Sequence, residues 1–102
     1  MFLICASLTP RPGSSSGPFP GDTAAAVAAA SAAAGVRGVE HVVQRARPGA
    51  RPVLGVYVVA TTRQAAASAC EQAWRAAVAA RPELAGWTAA WEDVPLHEPP
   101  VA

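Results

Sequence analysis

The sequence predicts a single α+β domain built in the order βαββαβ. Short apolar or valine-rich runs, bounded by proline and glycine, mark four strands. Two alanine-rich stretches with capping residues before them mark two helices, one after the first strand and one after the third. The length, 102 residues at 10.3 kDa, suits one such domain.

Residues 2–8 (FLICASL) are apolar in both phases of a two-residue period. Such a strand is covered on both faces and central in its sheet. Residues 9–21 (TPRPGSSSGPFPG) read as a loop rich in proline, glycine and serine. It is long for a strand-to-helix connection, where roughly 2–6 residues are usual. Phe19, its only large apolar side chain, is expected to pin it down. Asp22 or Thr23 caps a helix that runs to about Ala34, and Gly35 fits the position that stops it. That helix is nearly all alanine. Its propensity is high, and its small side chains permit close approach to the sheet.

Residues 36–46 alternate imperfectly and are rich in valine, which predicts a strand. Pro48-Gly49 centres a turn over residues 47–51. Residues 53–60 (VLGVYVVA) are the clearest strand and close a hairpin with the preceding one. Thr61 or Thr62 caps a second helix over residues 63–80. Its apolar stripe is Ala66, Ala69, Cys70, Ala73, Ala77 and Ala80, with Arg63, Glu71, Arg75 and Arg81 expected in solvent. Pro82 ends it, because the residue before proline disfavours the helical region. One more short turn precedes the last strand, residues 87–94 (WTAAWEDV). The order is that of a ferredoxin-like domain over residues 1–98: a four-stranded antiparallel sheet with two helices on one face and a short tail, 99–102.

Composition narrows the function. A chain 52% hydrophobic and 15% charged is not disordered. A net charge of +1 points to neither nucleic acid nor an anionic membrane as partner. Arg45, Arg47 and Arg51 make a weak basic spot without the basic-aromatic motif of RNA-binding sheets. No apolar stretch approaches the ~20 residues of a membrane span, and the start lacks a positive signal-peptide region. Lysine and asparagine are absent and every basic chain is Arg, as in a GC-rich bacterial genome. Cys5 and Cys70 read as buried, reduced thiols of a cytoplasmic protein, and His41 and His97 do not cluster with them as metal ligands. No metal and no cofactor are expected.

The expected site is the sheet face opposite the helices. Leu54, Val56, Val58 and Ala60 form the more uniformly aliphatic phase of the third strand and should face the helices. That leaves Gly55 and Tyr57 on the open face. Pairing about Pro48-Gly49 brings His41 near Tyr57, with Val39 and Val43 beside it, although one bulge would reverse the second strand. Trp91 is expected to join them. The predicted binding face is therefore Val39, His41, Val43, Gly55, Tyr57 and Trp91. Val53 and Val59 add to its apolar surface. A monomer rarely leaves such a patch wet, so a homodimer or a protein partner is expected to cover it. The function this predicts is a non-catalytic interaction or accessory module.

A second expectation comes from element order alone. The order resembles that of dimeric α+β barrel enzymes, which include cofactor-free oxygenases and cyclase-type enzymes acting on small hydrophobic substrates, and that of ACT-like regulatory modules. The enzyme resemblance would place His41, as general base, and Tyr57 nearest the chemistry. Glu92-Asp93 reads as a solvated strand-end pair. In the long loop, Arg11, Ser14, Ser15 and Ser16 could meet a small anion near the first helix, although Asp22 works against that. The loop has neither a Gly-x-Ser-x-Gly elbow nor a phosphate-loop ending.

Overall fold

A computed structural model describes residues 1–13, 19–46 and 49–94. The expected serines Ser14, Ser15 and Ser16, the turn residues Arg47 and Pro48, and the 99–102 tail lie outside the described residues. The elements are β1 (Phe2–Pro10), α1 (Thr23–Ala33), β2 (Val39–Arg45), β3 (Val53–Val58), α2 (Arg63–Ala80), a 3-10 turn (Pro82–Gly86) and β4 (Trp87–Val94). The four strands form one antiparallel sheet in the order β2-β3-β1-β4. The fold is α+β. β1 is central, as its two-sided hydrophobicity predicts.

Three boundaries differ from the sequence reading. β1 continues through Thr9 and Pro10, because Thr88 and Trp87 of β4 pair with them. β2 starts at Val39, because the Val36 N–H is taken by the Ser31 carbonyl, 2.9 Å away, at the end of α1, and Gly38 turns the chain with φ +90°. β3 stops at Val58, leaving Val59 and Ala60 outside it.

The helix ends follow from local hydrogen bonding. Gly35, at φ +75°, donates to the Ala32 carbonyl while Val36 donates to that of Ser31. This double bond pattern closes α1 around a glycine that tolerates the left-handed conformation. Thr62 caps α2 by accepting from the Ala65 N–H at 3.0 Å. Asp22, expected as a cap, makes no side-chain cap bond. Its carboxylate meets the guanidinium of Arg81 through two bonds of 3.1 Å. Arg81 is therefore not free in solvent: it joins the start of α1 to the end of α2 and also donates to Glu83 at 2.8 Å. Arg81 holds the carboxyls of Asp22 and Glu83 below their ordinary range.

The cap of α1 comes instead from β2. Gln44 Oε1 accepts from the Ala24 N–H, and Gln44 Nε2 donates to the Pro20 carbonyl at 3.2 Å. One amide thus serves an orphan helix donor and a loop acceptor. Among the described residues, the buried hydroxyls of Thr23 and Ser31 are also satisfied: Thr23 donates to the Pro20 carbonyl at 2.8 Å and Ser31 to the Ala28 carbonyl at 3.0 Å.

The core lies between the helices and one sheet face. β1 gives it Ile4, Ala6 and Leu8; β3 gives Leu54, Val56 and Val58; β2 gives Val42. Against them α2 packs Ala66, Ala69, Cys70, Ala73 and Ala77, and α1 packs Val27. Ala80, the last residue of the expected stripe, is exposed. Four of the five side chains that α2 buries against the sheet are alanines. Phe19 packs edge-on against Trp87, with ring centroids 5.0 Å apart, and so holds the end of the long loop as expected.

Candidate functional site

Strand alternation assigns the faces. Residues next to the core positions in sequence point to the bare side. On β1 these are Leu3, Cys5 and Ser7; on β2, His41, Val43 and Arg45; on β3, Val53, Gly55 and Tyr57; on β4, Thr88, Ala90 and Glu92.

Gly55 is the centre of this face. The Cβ it lacks would sit 3.1 Å from Val43 Cγ2, 3.6 Å from Leu3 Cδ1 and 3.7 Å from Cys5 Sγ. Three neighbours lean over the glycine and bury it, although no helix covers this side among the described residues. Tyr57 lies directly across from His41, with ring centroids 6.0 Å apart and planes at 39°. Arg45 and Glu92 border the apolar centre.

His41, Val43, Gly55 and Tyr57 therefore share the expected face. Val39 does not. A register shift between Val39 and His41 places Val39 opposite Val58, on the helix side. Trp91 does not either: it pairs with Ala6, whose side chain is in the core. Val59 lies beyond β3 and is 51% exposed. Leu3 and Cys5 are the members the sequence reading missed. Their signal was the second apolar phase of β1.

Trp91 belongs to a second site. A cleft of about 190 Å³ runs between α2 and β4, lined by Trp74, Trp87 and Trp91 with Arg11, Glu71 and Arg75 among its other walls. It collects every tryptophan in the chain. Arg11, expected as an anion contact at the first helix, reaches this cleft instead. A neighbouring hollow of about 270 Å³, lined by Gln64, Ala67, Ser68, Glu71 and Trp91, continues it along α2.

No protein-family model, no curated protein and no solved structure matches this chain. Its chemistry must be read from its own residues. Among the described residues, no group of three or more His, Cys, Asp and Glu could hold a metal ion, and no helix is long and apolar enough to cross a membrane. The His41 and Tyr57 rings are neighbours, and neither side chain has a hydrogen-bond partner among the described residues. An orienting partner is what a general base needs.

The two thiols are free and lie on opposite sides of the sheet. Burial, and next Cys5, pushes Cys70 up to about 12. Burial and then the Glu92 carboxylate raise Cys5, with Arg45 opposing. A raised thiol holds its proton in the folded chain after the unfolded chain has lost it. Stability is therefore whole below the ordinary thiol range of ~8.5 and falls as pH rises toward about 12. Urea titrations from pH 8 to pH 11 should show this decline, and a Cys70→Ala variant should flatten it. Native alkylation at pH 8 should label Cys5 ahead of Cys70.

Proposed function

We propose that the protein is a non-catalytic interaction module of ferredoxin-like plan, whose bare sheet face docks on a second copy of itself. The observation that supports this most is the apolar centre around Gly55. Leu3, Cys5, Val43, Val53 and Tyr57 are each only half-buried. Both helices pack on the other face. An apolar patch bordered by charges is the usual composition of a protein interface. The enzyme reading rests on the His41–Tyr57 ring neighbourhood alone, so we advance the interaction reading. Two unbridged cysteines fit a reducing compartment such as the bacterial cytoplasm.

Light scattering over a concentration series tests the docking. The native chain should form an assembly of even copy number. Val43→Glu places a charge against Gly55 and should halve the mass without changing the circular dichroism. Alkylation of Cys5 should slow as protein concentration rises. A mass of one chain at every concentration, with Cys5 equally reactive throughout, would sink the proposal.

A further inference from the structure

The two edges of the sheet are finished differently. β2 carries a register shift after Val39 and exposes Glu40, His41 and Arg45. A bulge and edge charges are the devices that discourage strand addition. β4 has neither over its first five residues. Its pairing with β1 runs unbroken from Leu3↔Val94 to Pro10↔Trp87, and residues 87–91 contain no proline and no charge.

The polarity of that edge can be derived. The Leu8 N–H donates toward β3, to Pro52, at 3.0 Å, and the Arg11 N–H donates the other way, to the Gly86 carbonyl, at 2.8 Å. Backbone groups alternate sides along a strand. Odd positions of β1 therefore bond to β4, through their partners Thr88, Ala90 and Glu92. Trp87, Ala89 and Trp91 turn their groups to the free edge. The Trp87 N–H is taken by the Leu84 carbonyl. Both groups of Ala89 and of Trp91 have no partner among the described residues.

We propose that this edge is a second interface, where another copy of the chain adds its own β4 antiparallel across a two-fold axis at Ala90. The inference goes beyond the bare-face reading and uses a different surface. A two-fold axis perpendicular to the sheet keeps all helices on one side, so opposed residues must share a face. Three central registers meet that condition. An axis at Ala89 sets Trp87 against the partner's Trp91, and an axis at Trp91 sets two indoles directly opposite each other. An axis at Ala90 sets each Trp91 against the partner's Ala89, a large side chain over a small one, and each Glu92 against the partner's Thr88. Ala89 and Trp91 then exchange both backbone bonds with their opposites, which satisfies all four groups in each copy.

With the bare face also occupied, the two interfaces close a set of four copies if their two-fold axes intersect at right angles.

The geometry supplies a sharp test. At the axis Ala90 faces its own copy as a pair without backbone bonds, with Cα atoms ~4.5 Å apart, which is within disulfide range. In a Cys5→Ser background, Ala90→Cys should form a disulfide dimer under mild oxidation, whereas Thr88→Cys should not. Ala89→Pro removes a donor only from the free edge and leaves the β1 ladder whole, so it should halve the native mass. Equal cross-linking of the two cysteine variants, or an unchanged mass in a folded Ala89→Pro, would overturn the proposal. If Ala89→Pro does not fold, the cysteine pair decides alone. Repeating the cross-link in Val43→Glu separates the interfaces: it persists there if the edge pairs, whether or not the bare face does.

Discussion

Gly38→Ala is expected to lower stability by about 3 kcal/mol, a large share of the ~5–15 kcal/mol that holds a domain together. Gly38 has φ +90°, where a β-carbon is disfavoured, and that carbon would strike the carbonyl oxygen of Val59. The obstacle is backbone and cannot rotate away. The Val59 N–H also donates to the Gly38 carbonyl at 2.8 Å, so moving one residue breaks the register of the other. Gly35→Ala is the control. Its φ is +75° but its added carbon meets nothing within 4 Å, so only the conformational cost of ~1–2 kcal/mol should remain. Urea midpoints at constant slope measure both. Equal losses would mean that the Val59 carbonyl is not the obstacle.

Leu54→Ala should cost about 4 kcal/mol, toward the upper end of the ~2–5 kcal/mol range for such deletions. The position within that range depends on whether neighbours can fill the hole. Leu54 is fully buried under a helix whose buried side chains are four alanines and Cys70. These are too short to move in. A loss under ~2 kcal/mol would show that the helix settles into the space instead.

The elements were legible because their signals are local. Thr62, Pro82 and the alternation of residues 53–60 each act within a turn or a strand, and α2 and β4 fall where the sequence puts them. The His41–Tyr57 pairing follows from counting outward from Pro48-Gly49, and it holds because the one register shift in β2 lies beyond His41, toward Val39. Val39 was not legible. The shift beside Glu40 depends on how the chain leaves Gly38, and no alternation of valines encodes it. Trp91 was misplaced for a different reason. A two-residue period groups Trp87, Ala89 and Trp91 on one face but does not say which face is covered. The size of two indoles, set against Thr88, Ala90 and Glu92 on the other side, was the usable clue. The Gln44 cap joins groups 20 residues apart, and such pairings follow only from the assembled sheet.

The gathering of Trp74, Trp87 and Trp91 in one cleft decides what light can report about this molecule. All of its indole emission originates at a single margin of the sheet. A melting curve followed by fluorescence therefore records the parting of α2 and of Phe19 from β4, and carries little signal from β2 and α1. Far-ultraviolet dichroism averages over every helix and strand. The two curves will superimpose only if the whole chain lets go at once, so comparing them asks whether the β4 margin and the rest of the domain are one cooperative unit or two.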